Sequence, residues 1–138
     1  MRFDGVEQIG GYLTDCYVGM TEECPVLLLL NGDNELIGDP ILLGFGMKDC
    51  SPISLRRIVA QALQDNASSI VLAHNHPGAD STPSMEDISF TQLAAASLQL
   101  LQIRLVDHII VGKDGYSCVS ERDAENNRGL SVSNEVLL

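Results

Sequence analysis

The order of apolar segments along this chain predicts an α/β protein in which helices pack on a mixed β-sheet. Three observations carry the prediction. Short apolar runs of strand length alternate with two segments whose apolar residues recur at helical spacing. Asn31-Gly32-Asp33-Asn34 and Gly112-Lys113-Asp114-Gly115 are strong turn signals between neighbouring runs, so part of the sheet should be antiparallel. The resulting order is β-β-α-β-α-β-β, with no internal repeat and no low-complexity segment.

Residues 1–22 read as irregular. Val6, Ile9 and Leu13 hint at a short helix, which Gly10-Gly11 weakens. Residues 24–30 are a β run, wholly apolar from Val26 to Leu30. A second strand is expected over 35–44, antiparallel to the first, with Pro40 marking an edge or a bulge. Leu55, Ile58, Val59, Ala62 and Leu63 then fall on one helical face; Pro52 and Ser54 supply a start and Asn66 a stop.

The apolar run 68–73 reads as a buried strand whose end opens into a loop rich in Gly, Pro and Ser. Ser84 is the expected N-cap of a long helix reaching Leu101, with Phe90, Leu93, Ala94, Leu98 and Leu101 on its apolar face. Residues 103–111 form a strand, turned by Gly112 to Gly115 into a last strand over 116–119. From Ser120 onward the sequence is polar at first and has no clear period. The expected organisation is a single domain over 1–122 with a short N-terminal segment, followed by a flexible tail over 123–138.

The length of 138 residues suits one domain that can bury a sufficient core without staples. Nineteen acidic against eight basic residues give a net charge of -11, which argues against a nucleic-acid partner, since such binding rests on Lys and Arg. Only Arg56 and Arg57 form a basic pair. No run approaches the roughly 20 apolar residues of a membrane helix, and the first five residues lack an apolar signal region. A soluble, cytoplasmic protein with no membrane partner is expected. Cys16, Cys24, Cys50 and Cys118 show no CxxC pairing and read as small buried hydrophobes in a reducing compartment.

The chemistry concentrates in His74-Asn75-His76-Pro77, followed by Ser84 and Asp87. Two histidines separated by one residue on a strand point to the same face, and Asn75 then points elsewhere. Asp87 falls in the first turn of the helix capped by Ser84, where the helix dipole keeps a carboxylate ionised. Neutral imidazoles and an ionised carboxylate are the forms a metal takes as ligands. A hydrolytic zinc needs three protein ligands and an open position, which His74, His76 and Asp87 would satisfy. The bland alternative reads each histidine as a hydrogen-bonded core residue and Ser84 with Asp87 as an imperfect capping box. HExxH is absent, as is the H-x-E with PCxxC of zinc deaminases.

His74-x-His76-Pro77-x6-Ser84-x-x-Asp87 resembles the JAMM motif of the JAB/MPN metallopeptidases. More narrowly, residues 72–77, Pro83-Ser84-x-x-Asp87 and Asp107-His108-Ile109-Ile110-Val111-Gly112 are similar to the C-terminal domain of the bacterial RadC proteins, and Pro52-x4-Arg57-x3-Gln61-Ala62-Leu63 fits the same group. The resemblance covers about residues 20 to 122.

It implies a cytidine-deaminase-like mixed β-sheet sandwiched by helices, with one catalytic Zn2+ held by His74, His76 and Asp87. It further implies a glutamate general base at the head of the first apolar strand. Glu23 matches that place, and its neighbour Glu22 is the alternative, because a register shift of one residue would turn the carboxylate to the opposite face. Ser84 matches a serine expected to stabilise an oxyanion.

Two positions depart from the family pattern: Pro25 stands where an aromatic is usual, and Gly78-Ala79-Asp80 follows His76-Pro77 in place of the usual order. His108, beside Asp107, reads chiefly as a core histidine, and less readily as a residue orienting a ligand.

The implied function is zinc-dependent hydrolysis of a peptide or isopeptide bond, with a protein or peptide substrate. The alternative is a non-catalytic metal-binding platform for protein interaction; a metal-dependent nuclease is a third reading. The family name associates these proteins with DNA repair, and the charge gives DNA contact no support. Residues 1–22 offer no helix-hairpin-helix region, so a stand-alone catalytic-type domain is expected. Neither the substrate nor the oligomeric state is written in the sequence.

Overall fold

The structure, a computed structural model, describes residues 1–44 and 53–121. Among the described residues eight elements occur in order: α1 (Val6–Tyr17), β1 (Val26–Leu30), β2 (Ile41–Leu42), α2 (Leu55–Gln64), β3 (Ser69–Asn75), α3 (Met85–Gln99), β4 (Arg104–Gly112) and β5 (Gly115–Cys118). The strands form one mixed sheet in the order β2-β1-β3-β4-β5. β3 and β4 run parallel, joined across α3, and the other neighbouring pairs are antiparallel.

β1 and β3 are buried along their whole length because both faces of the sheet are covered. Leu27, Leu29, Ile70, Leu72 and Leu105 pack with Ile58 and Ala62 of α2 and with Ala94, Ala95 and Leu98 of α3. The alternate residues Leu28, Leu30, Val71, Ala73, Ile109 and Val111 pack with Ile9, Leu13 and Tyr17 of α1. The result is three layers, with α1 on one face and α2 and α3 on the other. This mixed α/β architecture is consistent with a JAB/MPN fold.

A bulge in β4 decides which way His108 points. Ile70 pairs with Leu105 but Val71 pairs with Asp107, so Val106 is an extra residue in the ladder. A one-residue insertion exchanges the faces of everything after it. Leu105 faces α2 and α3, yet Ile109 and Val111 face α1. His108 is thereby turned toward α3, onto the same side as His74.

Several elements depart from the sequence reading. Residues 1–22 are not irregular: they carry the twelve-residue helix α1. Gly10 costs helix stability, but a Cβ there would meet the Tyr116 ring at 2.4–2.6 Å, so its absence is what lets β5 close on the helix. The strand expected over 35–44 shrinks to Ile41–Leu42, with isolated bridges from Glu35 to Arg2 and from Leu36 to Leu30. Leu93 and Leu101, expected in the apolar face of α3, are exposed, at 56% and 43%; the buried face is Ile88, Thr91, Ala94, Ala95 and Leu98.

The Ser54 start and Asn66 stop of α2 and the Asn31 turn appear as the sequence predicts. Ser54 Oγ accepts from Arg57 N–H, and Asn66 takes a positive φ. Asn31 Oδ1 accepts from the N–H groups of Asp33 and Glu35. Cys24 and Cys118 are buried free thiols, but Cys16 is exposed. Pro52, Cys50 and the tail expected over 123–138 lie outside the described residues. Among the described residues, no helix is long and apolar enough to cross a membrane.

Candidate metal centre

β3 ends at Asn75, and the main chain of His76 still continues the parallel pairing, its N–H donating to Val111 O at 2.8 Å. His74 and His76 therefore leave the strand end on one side. Their Nε2 atoms lie 3.1 Å apart. Glu23, His74 and His76 each present a ligand atom, all within 4.8 Å of one another. Asp87 Oδ2 lies 3.6 Å from His74 Nε2. Three of the residues singled out in the sequence thus meet at one place, and Asp87 flanks one of them, His74.

Each is held by identifiable contacts. After His76 the chain turns sharply, with Gly78 at φ 72° and Ala79 N–H donating to His76 O. His76 Nδ1 is 2.9 Å from Asp80 O. A carbonyl only accepts, so Nδ1 donates there, and Nε2 is the atom turned toward His74. The loop then lies on the β4–β5 hairpin: Lys113 N–H donates to Ala79 O, and Ser81 N–H and Oγ both donate to the Asp114 carboxylate. Gly112 permits this approach, since a Cβ there would sit 2.5–2.7 Å from main-chain atoms of residues 79–81.

Asp87 is fixed by a full capping box. Ser84 Oγ accepts from Asp87 N–H at 3.0 Å, and Asp87 Oδ2 accepts from Ser84 N–H at 2.9 Å. The box that looks imperfect in the sequence is complete, and it aims the same carboxylate oxygen at His74. The bland and the chemical readings of Ser84 and Asp87 are one geometry. Ser84 is exposed, and its oxygen accepts from Asp87 while its own hydroxyl proton stays available to donate.

Glu23 owes its place to Asn75, whose role the sequence does not disclose. Asn75 Oδ1 accepts from Cys24 N–H at 2.8 Å, and Asn75 Nδ2 donates to Glu22 O at 3.0 Å. The amide brackets Glu23 from both sides. Tyr17, at the end of α1, adds a bond from its hydroxyl to Cys24 O at 2.6 Å. Glu23 is half-buried at the centre while Glu22 is exposed. Of the two adjacent glutamates, Glu23 is the one gathered with the histidines.

Behind the site lies a buried polar chain. His74 Nδ1 is 2.8 Å from His108 Nε2, and His108 Nδ1 is 2.7 Å from Thr91 Oγ1. Thr91 Oγ1 donates to Asp87 O at 2.6 Å. Thr91 escapes sequence reasoning, because a threonine within a helix carries no signal of its own. Among the described residues, no buried side-chain nitrogen or oxygen lacks a partner.

Burial lowers the His74 pKa to about 4; Asp87 opposes the shift and His76 adds to it. Burial likewise lowers His108 to about 3, with the neighbouring histidines adding and Asp87 opposing. Both rings are neutral near neutral pH. The donor set fits a divalent ion: two imidazoles with Nε2 atoms 3.1 Å apart, and carboxylates beside them.

Residues 3–126 match the family described as RadC-like JAB domain. The chain is 37% identical over 118 residues to a UPF0758 protein of Pseudoalteromonas translucida, covering 86% of this chain and 51% of that protein. It is 42% identical over 94 residues to the UPF0758 protein YfjY of Escherichia coli, covering 68% and 58%. A UPF0758 protein of Pelobacter propionicus is 34% identical over 125 residues, covering 88% and 52%. The chain thus spans about half the length of these relatives.

Proposed function

We propose, for a chain that belongs to the RadC-like JAB domain family, that the metal-binding group is the centre of a zinc-dependent hydrolase acting on a peptide or isopeptide bond. The observation that carries this reading is the convergence of Glu23, His74 and His76 within 4.8 Å, with Asp87 Oδ2 3.6 Å from His74.

In this reading His74, His76 and Asp87 hold the ion. Zinc in such a site supplies a Lewis acid for the carbonyl and makes water a nucleophile at neutral pH. Glu23 takes the proton of the attacking water and gives it to the leaving amine, as a positioned carboxylate can. Its half-buried place and the bracket from Asn75 support that role, because a base must be held within hydrogen-bond reach of its proton. Ser84, with its hydroxyl proton available, donates to the developing oxyanion. The substrate is a protein or peptide, and the net charge of -11 disfavours a nucleic acid.

The test is hydrolysis of a panel of peptide and isopeptide substrates by zinc-loaded protein, with Glu23→Gln beside it. Turnover that falls by about 10²- to 10⁴-fold in the variant, with zinc content unchanged, supports the reading. Hydrolysis that survives Glu23→Gln contradicts the mechanism. A zinc-replete wild type that is inert across the panel yet holds a protein partner supports a binding platform instead.

A further inference from the structure

The path Thr91–His108–His74 runs from the main chain of α3 to a ligand of the centre, and its proton positions can be worked out from one end. Asp87 O is a carbonyl and only accepts. Thr91 has a single hydroxyl proton, and it is directed to that carbonyl at 2.6 Å. Thr91 Oγ1 must therefore accept at its other contact, from His108 Nδ1 at 2.7 Å. A neutral imidazole carries one N–H, so His108 Nε2 is left as an acceptor. His74 Nδ1, 2.8 Å away, must then be the donor. His74 Nε2 is left with its lone pair, 3.1 Å from His76 Nε2.

We propose that Thr91, acting through His108, is a positioning residue that sets His74 in the tautomer able to bind the metal. This rests on the proposed metal site, but not on hydrolytic activity. A competing pull exists at the same ring. Asp87 Oδ2, 3.6 Å from His74 Nε2, and His76 Nε2, 3.1 Å from the same atom, would each attract a proton to Nε2 and make it unable to bind the ion. The relay opposes that pull by occupying the Nδ1 proton. The bulge at Val106 is what turns His108 toward α3 and makes the relay reachable. The chain also links two ligands, because Thr91 is anchored on the carbonyl of Asp87, whose side chain flanks His74.

The chain has three histidines, so their ring nitrogens can be assigned individually. The experiment is a long-range ¹⁵N–¹H spectrum of metal-free protein at neutral pH, with zinc titrations of wild type, Thr91→Ser and Thr91→Val. His74 and His108 in wild type are expected as the Nδ1–H tautomer. Thr91→Ser keeps the hydroxyl and is expected to keep the tautomer and the affinity. Thr91→Val keeps the shape but removes the acceptor. It should release His74 to the Nε2–H form and weaken zinc binding by about 10- to 100-fold. A wild-type His74 found as Nε2–H overturns the proposal, whatever the variants do. So does a Thr91→Val protein whose tautomer and zinc affinity match wild type. Hydrolysis plays no part in these readouts, so an inert enzyme leaves them intact.

Discussion

Asn75 and Cys24, 51 residues apart in sequence, are joined by a 2.8 Å bond from the Cys24 N–H to the Asn75 side chain. The same amide donates back to Glu22 O at 3.0 Å. The residue between the two histidines thus holds the stretch of chain that carries Glu23. One strand end presents the histidines on one side and, on the other, the amide that places the third member of the group.

Asn75→Ala should therefore harm the centre without removing any ligand. It leaves a buried N–H and a carbonyl unsatisfied, which costs about 1–3 kcal/mol for the group most fully desolvated. Denaturant unfolding of the metal-free protein should show a loss of that order. A loss below about 0.5 kcal/mol would mean that the bracket contributes little.

Gly112 supplies a second test, of the loop that carries His76. Gly112→Ala drives a Cβ to within 2.5–2.7 Å of main-chain atoms that have no rotamer to escape into. Overpacking of this kind costs about 1–3 kcal/mol, and zinc affinity should fall with it, since His76 sits at the start of the displaced loop. Gly11 is the control: a Cβ there meets nothing within 4 Å, and Gly11→Ala in the exposed face of α1 should stabilise by about 0.5–1 kcal/mol. Thermal melts of the two variants should move in opposite directions; a shift of Gly112→Ala toward higher temperature would contradict the packing of the loop.

Metal-free stability should depend on pH through the buried histidines. The pKa of His74 falls from 6.5 to about 4 on folding, and that of His108 from 6.5 to about 3. Between those values the unfolded chain binds more protons than the folded one, so stability falls as pH falls. The contribution is intact above about 6.5 and is lost progressively toward pH 4, by up to about 3 kcal/mol for His74 alone. Asp107 acts in the opposite sense, because burial raises its pKa and the folded state takes up its proton first. Unfolding free energies measured from pH 8 to pH 4 should decline below pH 6.5; a flat profile, or a rise on acidification, would contradict buried neutral rings.

Much of the site is legible in the sequence because its signals are local. His74-x-His76 at a strand end and Ser84-x-x-Asp87 at a helix start each declare their geometry within a few residues. What the sequence conceals depends on contacts between distant segments. Helix α1 is obscured by Gly10, whose purpose appears only with the Tyr116 ring laid against it. Glu22 and Glu23 are separated only by Asn75, which brackets the second of them. His108 cannot be assigned to a face from the apolar pattern, because the extra residue Val106 leaves no mark there. The strand expected over 35–44 fails for a related reason: Glu35 bridges to Arg2 and Leu36 to Leu30, two different partners, and neither bridge extends into a ladder.

The central claim is that His74 and His76, with the carboxylate of Asp87, hold one metal ion, and elemental analysis tests it most directly. Protein loaded with zinc and dialysed free of excess should retain one zinc per chain. His74→Ala and His76→Ala should each retain almost none while keeping the far-ultraviolet spectrum of the folded protein. Wild-type protein that keeps no zinc, or folded variants that keep as much as wild type, would contradict the account.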